Sequence, residues 1–501
     1  MTQSRTIPTV LLFSIISTFL FSNESIGLNL FIFEILYLSY LIFRKEVSFK
    51  TVNQITCFFG FLLSSVFVVL TNSSYSILVN FIALVVFVGL IIFPESRSLL
   101  NSVGLSFYAL YRSPIEFINR ISILNFKGRS LGKVFKGFGI YVLPIVIVFF
   151  FVSLYRISNP FFNNIVGEGI LAINEFFSSL FVNFDLALIF TFIISAIISC
   201  FVLIRSANCW IIDKDNLSQD VQFRIRWKQN EVFGLVDLKK ELRSAIFLFV
   251  LLNIVLLVLN CIDIYWVWFN FEWQGQYLKQ FVHEGTYLLI LSILISIVLV
   301  LYYFRNNLNF YPRNNILKVL CYLWLIQNGI LAISVGIRNY RYIEYFSLAY
   351  KRIGVVIFLI LVLYGLYTVL IKVYKRKSSY YLLRKNAYFL FVILLSSSFV
   401  NWDKIIVKYN FSHAENSFLH LDYLATLSDQ VLPGLGKSLN EIKALDVIQK
   451  KKFPFEQQYM TPEKYFDLIS KRSEEFKKNW EAKGILSWNL PDHLAYKKLK
   501  E

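Results

Sequence analysis

The chain is patterned in blocks. Stretches of 17 to 20 residues without Asp, Glu, Lys or Arg recur, among them 137–155, 186–204, 244–262, 285–304, 319–337 and 353–371. At about 1.5 Å of rise per helical residue, each can cross roughly 30 Å of hydrocarbon. The pattern predicts eleven spans, at roughly 7–23, 26–43, 52–70, 76–93, 138–156, 186–204, 244–262, 285–304, 317–337, 353–373 and 387–402. Only Asn23, Glu24 and Ser25 separate the first two. Residues 51–94 are uncharged throughout, and there the turn signal Thr71-Asn72-Ser73-Ser74 divides one apolar run into two helices. The last span is short, and a tilted, a re-entrant and a non-spanning course all fit its length.

The segments between the spans set the remaining organisation. The expected fold is all-α: a polytopic helical membrane protein with about 11 transmembrane helices and a small, mainly helical C-terminal region outside the membrane. Its parts are a four-span segment (1–95), a basic amphipathic segment on the cytoplasmic side (96–137), a seven-span core (138–402) with a cytoplasmic loop at 205–243, and a periplasmic region (403–501). In the amphipathic segment Leu99, Leu100, Val103, Phe107, Leu110 and Tyr111 recur at helical spacing, flanked by Arg112, Arg120, Lys127 and Arg129, as in a helix lying on a leaflet. Asn159-Pro160-Phe161 is a loop initiator by its proline chemistry. Trp268 to Trp273 is an aromatic interface belt. In the C-terminal region Pro433-Gly434 marks a turn and Thr461-Pro462-Glu463 a helix start. Its charged end, from Lys471 to Glu501, is expected to be loosely attached.

Charge then supplies a direction. The net charge of +18 would fit a nucleic-acid partner if it were clustered in one domain, but it is not. With the N-terminus inside, the even-numbered loops and span ends hold 28 Lys/Arg against 9 Asp/Glu, and the opposite side holds 6 against 8. That asymmetry places the N-terminus in the cytoplasm and, after an odd number of spans, the C-terminus in the periplasm. The basic balance is therefore a topology signature and calls for no nucleic acid. A cleaved signal peptide built on Arg5 and the apolar run 10–21 is the alternative for the first span; no A-x-A site follows it. Five cysteines lie in or beside spans without C-x-x-C spacing, so neither a disulfide framework nor a zinc site is expected. No phosphate-binding glycine pattern occurs in the loops, and no cofactor is expected.

Three stretches carry a family resemblance: Phe281-Val282-His283-Glu284-Gly285-Thr286-Tyr287 with 304–310; Arg338-Asn339-Tyr340 with Tyr342-Ile343 and 348–355; and Val407-Lys408-Tyr409-Asn410 with 421–424, Leu427-Ser428 and Leu432-Pro433. Together they resemble the bacterial multi-pass proteins of the 4153/4173-type domain of unknown function, in particular Bacteroidota-like members, over roughly residues 140–435. One departure is Ser347-Leu348-Ala349, where a Gly-Leu-Thr-like triplet is expected. The resemblance implies the polytopic architecture and a bacterial cytoplasmic membrane, and it implies no activity.

Candidate sites come from polar groups that sit badly with a bilayer. Glu34, between Phe33 and Ile35 in the second span, costs roughly 2.5–3.5 kcal/mol as a carboxylate even on insertion scales. It reads as a proton- or ion-coupling group, or as a neutral acid bonded to a neighbour. All four histidines (His283, His413, His420, His493) fall on the C-terminal side of the membrane, with Glu284, Glu415 and Asp422 near them, which allows a metal or acid–base site or ordinary interfacial residues. Arg338, Arg341, Lys351 and Arg352 oppose the positive-inside bias. They are either snorkelling groups paired with Glu344 and Glu284, or a basic rim for an anionic head group or envelope ligand. Glu284, Tyr350, Lys351 and Arg352 are expected to meet at the outer face as the functional centre. Gln327-Asn328 and Asn253 fit interhelical hydrogen bonds.

Two function classes follow. The first is a non-catalytic membrane protein acting in transport, sensing or envelope organisation. The second is a membrane enzyme acting on a lipid-linked or envelope substrate at the outer leaflet, for which the chain offers no recognised catalytic motif. The bilayer is the one partner implied outright.

Overall fold

The computed structural model describes residues 3–47, 49–122, 125–126, 129–130, 148, 152, 156, 160–180, 186–204, 210–224, 238–270, 275–305 and 307–501. Their structure is almost wholly helical. Helices α1 (Gln3–Phe21), α2 (Leu28–Phe43), α3 (Val52–Thr71), α4 (Ser74–Ile92), α5 (Leu99–Ser122), α6 (Pro160–Leu180) and α7 (Leu186–Leu203) make up the first half. The short α8 (Trp210–Leu217) leads to α9 (Leu238–Asp263), which passes into a π-helical turn at Ile264–Phe269. Then come α10 (Gly275–Tyr303), α11 (Asn315–Phe346), α12 (Tyr350–Tyr374) and α13 (Ser379–Ser398). The only strands among the described residues are the paired Asn125–Phe126 and Arg129–Ser130.

Six helices are long and apolar enough to cross a membrane, a bent pair makes a seventh, and α1, α2 and α7 contain shorter apolar runs. Ten of the eleven expected spans correspond to described helices; the fifth, 138–156, lies outside the described residues except for 148, 152 and 156. Large apolar side chains such as Phe247, Val255, Leu288 and Val298 are more than three-fifths exposed on these helices, which suits hydrocarbon and not water. This is a polytopic helical membrane protein.

Local chemistry explains the boundaries. Thr51 with Gln54 and Ser73 with Ser76 form capping boxes at the starts of α3 and α4. Between them Asn72 takes a left-handed conformation, so the uncharged run breaks at the expected turn. At Asn159-Pro160-Phe161 the outcome differs, because Pro160 opens α6 instead of a loop; proline lacks only an N–H that a helix start leaves unpaired anyway. The eleventh span is longer than expected, running from Ser379 to Ser398, and its continuation α14 (Trp402–Ser412) is bent by 62°.

The membrane helices form two bundles. One apolar core joins α1–α5 and α7, and a second joins α9–α12. Helix α13 bridges them, giving Phe391 and Leu395 to the first and Leu382 to the second. Helix α5 differs from the expected surface-lying helix in one respect. Ser102, Leu105, Ser106, Ala109 and Ser113 are buried, and Ser106 donates to the Val85 carbonyl, so the small-residue face packs on α4. Gly89 allows this, because a Cβ there would lie 2.2 Å from the Ser102 carbonyl oxygen.

The loops sort into two faces. On one, Asp215 accepts from Tyr380 Oη (2.6 Å), Asn101 Nδ2 (2.7 Å) and the Arg97 amide (2.7 Å), while Arg384 pairs with Asp220. On the other lies the C-terminal region: α14, α15 (Leu421–Leu424), α16 (Leu432–Leu435), α17 (Leu439–Lys452), α18 (Pro462–Ala482) and α19 (Leu490–Lys500). Pro433-Gly434, expected as a turn, lies inside α16 with the proline in its first turn. The charged end is not loosely attached. Ser487 donates to Glu24 and accepts from the Ser25 amide (2.8 Å), and the Leu28 amide donates to the Trp488 carbonyl (2.9 Å). Gly27 lets the two backbones meet, since a Cβ there would lie 2.7 Å from both the Ser487 and Trp488 carbonyl oxygens. Charge kept the solvent side of α18 polar, but Tyr465, Ile469 and Phe476 form a buried stripe on the other side.

Candidate functional site

The link between α11 and α12 shapes a cavity of about 420 Å³ where the second bundle meets the C-terminal region. Ser347 takes φ 65° and ψ −173°, a conformation nearly confined to glycine, and this folds the chain back into α12. The turn is over-determined by its contacts. Ser347 Oγ donates to the Phe418 carbonyl (3.1 Å), and Asn410 bonds both the amide (2.8 Å) and the carbonyl (3.0 Å) of Leu348. Arg352 Nη1 donates to the Phe346 carbonyl (2.6 Å) and to the Ser347 carbonyl, with its guanidinium 4.7 Å from the Tyr342 ring centroid. The departure Ser347-Leu348-Ala349 thus has a physical consequence. Serine occupies a glycine-type position, and Ala349 stands at the N-cap of α12 without a side chain able to cap it.

Tyr350 lies at the start of α12 and donates its phenol to Asp403 Oδ1 (2.7 Å); Ser428 donates to the other oxygen of Asp403 through its hydroxyl and its amide. The Tyr350 amide donates to Tyr423 Oη (3.1 Å). Burial holds the Tyr423 phenol above its ordinary range, the nearby Asp403 adds to this, and the Tyr350 amide and Arg352 oppose it. Tyr423 is therefore a neutral hydroxyl in the cavity wall, available for hydrogen bonding. Tyr350, Lys351, Arg352, Asn410, His420 and Tyr423 all line the cavity, and Thr286 and Tyr287 face them from α10. Lysine and arginine are the only charged residues among the described lining, and Lys351 forms no ion pair among the described residues.

Four of the expected site residues need separate statements. The side chains of His283 and Glu284 lie outside the described residues, so the expected partnership of Glu284 with Arg352 is untouched by this structure. Arg338 does not join the rim and does not pair with Glu344, which Arg341 takes instead (3.1 Å). Arg338 is buried, and its Nη2 lies 2.5 Å from Asp263 Oδ1; Ser334 donates to Asp263 Oδ2 (2.7 Å). The reason is geometric: α11 presents Ser334 and Arg338 one turn apart on the face that meets the end of α9, where Asp263 precedes the π-helical turn. Asp422 lies outside the cavity, and its Oδ1 is buried without a hydrogen-bond partner.

The three histidines whose side chains are described do not gather. His420 stacks on Phe346 and meets Phe418 edge-on, His413 bonds the Tyr409 carbonyl (2.9 Å), and His493 sits against Trp480 and Trp488. Among the described residues no group of three or more His, Cys, Asp or Glu could hold a metal ion.

Asp403 and Asp263 are the residues that reading the sequence missed, and Asn410 was named only within a family stretch and given no role. Each lies near a helix end, where polar residues are common, so nothing local distinguishes them. Two of the three expected interhelical groups bond as expected: Gln327 Nε2 donates to Asn253 Oδ1 (2.7 Å), and Asn260 Nδ2 to the Gln327 carbonyl (3.1 Å); Asn328 instead donates to the Trp324 carbonyl of its own helix (2.8 Å).

Glu34 is elsewhere, in the first bundle, 1% exposed. Its Oε2 accepts from Asn80 Nδ2 (2.9 Å) and is bonded to Ser65 Oγ, while Asn80 also reaches Ser64 Oγ (3.2 Å). Its Oε1 is buried without a hydrogen-bond partner among the described residues.

The model of a family described as Domain of unknown function (DUF4153) matches residues 56–438, a stretch holding both the seam cavity and most of the membrane helices. No curated protein and no solved structure matches the chain.

Proposed function

This chain belongs to the DUF4153 family, and from that premise we propose that it is a multi-pass protein of the bacterial cytoplasmic membrane that holds an anionic head group, of a lipid or another envelope component, in the seam cavity. On this reading it acts in envelope organisation or sensing. One observation carries the reading: Lys351 and Arg352 line the cavity, and no carboxylate does so among its described lining. Arg352 is committed to backbone carbonyls and to the Tyr342 ring, which leaves Lys351 as the cation offered to a ligand. Around it Asn410, Tyr423 and His420 supply hydrogen-bonding groups, and Tyr342, Phe346 and Val355 supply an apolar wall. Such a mixture suits an amphiphile better than a free ion.

Orientation follows the basic asymmetry. The face carrying Asp215 and Asp220 is proposed as cytoplasmic, and the C-terminal region with the cavity as periplasmic. Alkaline phosphatase fused after residue 420 should then be active and a green fluorescent protein fusion dark; the reverse would invert the topology.

Binding is tested on the full chain in nanodiscs of phosphatidylcholine titrated with phosphatidylglycerol, read by native mass spectrometry. Wild type should retain phosphatidylglycerol selectively, and Lys351→Glu should lose that selectivity with unchanged elution on gel filtration. Equal retention by both proteins would overturn the reading.

A further inference from the structure

The first bundle contains a second cavity, of about 410 Å³, enclosed by α2, α4, α5 and α7. Its walls are almost entirely apolar, built from residues such as Phe33, Leu84, Leu110 and Ile198. The polar exceptions include Glu34 and Asn80. Several of its lining residues, Ile26, Phe81, Phe107 and Ile194, are also exposed on the outer surface of the bundle. In a membrane that surface meets acyl chains, so the mouth of the cavity opens sideways into the bilayer.

Glu34 gives this cavity a chemical preference. Among the described residues it forms no ion pair, and both recorded partners, Ser65 and Asn80, meet the same oxygen. Ser65 Oγ also lies 3.0 Å from the Phe61 carbonyl, yet a hydroxyl has one proton to give. For the neutral acid, either Ser65 donates to Glu34 Oε2 and the acid carries its proton on Oε1, or Ser65 donates to Phe61 and the acid donates from Oε2. In the first arrangement Oε1 needs an acceptor; in the second it needs a donor. A hydroxyl group is both, and it adds no charge to a place where charge is expensive. A buried carboxyl oxygen without a partner is unfavourable, so filling that position is favourable.

We propose that this cavity is a binding site for a long-chain alcohol, a single apolar chain that enters from the bilayer and sets its hydroxyl on Glu34 Oε1. The chain lies along Phe33, Leu84, Leu110 and Ile198, and the hydroxyl completes the network of Glu34, Asn80, Ser64 and Ser65. This site is separate from the seam cavity, and neither proposal depends on the other.

The test uses the full chain in nanodiscs and a hexadecanol carrying a mid-chain diazirine. Photolabelling should saturate and map to peptides of α4, α5 or α7. Unlabelled hexadecanol should compete, and hexadecane should compete about tenfold less well, the factor expected for one hydrogen bond to a carboxyl group. Glu34→Leu should abolish the preference for hexadecanol over hexadecane. Leu110→Trp, which fills the cavity without touching Glu34, should abolish labelling itself and keeps the proposal testable if the first variant does not fold. Labelling that never saturates, equal competition by hexadecane, or a preference retained in Glu34→Leu would overturn the assignment. Better competition by hexadecylamine would also overturn it, by showing that Glu34 is an anion seeking a cation.

Discussion

Among the described residues each membrane bundle buries an acidic side chain on one of its spanning helices, Glu34 in the first and Asp263 in the second, and the two are treated in opposite ways. In the second bundle Asp263 is held by Arg338 and Ser334, with acid and base side chains each 4% exposed. In the first, Glu34 has only neutral partners, Ser65 and Asn80, and one of its oxygens has none. The pair in the second bundle sets opposite charges in contact, and it fastens the end of α9 to α11 beside a π-helical turn. The acid in the first bundle is chemically incomplete and borders a cavity. Two carboxyl groups of similar burial therefore carry different meanings. A compensated acid fastens helices together, whereas an uncompensated one invites a proton or a ligand.

The largest expected effect would come from breaking the compensated side of this comparison. Arg338→Met leaves Asp263 buried beside Ser334 alone, and should cost about 3–5 kcal/mol, read as thermal or denaturant unfolding in detergent. Adding Asp263→Asn to that variant should recover most of the loss, because an apolar or neutral pair of similar volume replaces the ion pair. A double variant as unstable as the single one would show that the arginine acts through packing.

Glu34→Gln is the matching change in the first bundle, and its effect on stability should be under about 1 kcal/mol, since an amide keeps shape and hydrogen bonding. Its informative readout is function. If Glu34 couples to protons, the Gln variant should insert normally yet fail to rescue whatever phenotype a deletion strain shows. Full rescue would leave a role in hydrogen bonding alone.

Effects below that of Arg338→Met belong to the seam, where the polar groups are paired without a compensated acid at the centre. Tyr350→Phe removes the phenol from Asp403 and should cost about 1.5–3 kcal/mol if Asp403 stays charged, and nearer 0.5–1.5 kcal/mol if it is neutral. The size of the loss thus tells which kind of acid Asp403 is. Ala349→Thr should stabilise the protein by about 0.5–1 kcal/mol by restoring an N-cap to α12, measured as a rise in melting temperature. A fall would mean that a side chain at this position obstructs the cavity wall.

Much of the architecture was legible along the chain. Ten helices appear at expected spans because a bilayer selects them by summed apolar length, a local property. The break at Asn72 was equally local, a turn signal flanked by capping residues. Less legible was the hold on the charged C-terminal end, since the contacts of Ser487 with Glu24 and Ser25 join residues more than 460 positions apart. The candidate site was legible by anomaly. Lys351 and Arg352 stood out as cations on the disfavoured side, and the structure brings both to one cavity with Tyr350. Arg338 stood out for the same reason and is used differently.

The sequence by itself determined the helices, the turn that parts α3 from α4, and the division of charge between two sets of loops. Each of these depends on neighbours in the chain or on a sum over one segment. Tertiary structure alone decided which polar groups are matched: Arg338 with Asp263, 75 residues away, Tyr350 with Asp403, and Glu34 with Ser65 and Asn80. A hydrogen bond or ion pair depends on distances of about 3 Å and on direction. Helix packing brings distant residues within that range, and no spacing along one chain encodes it.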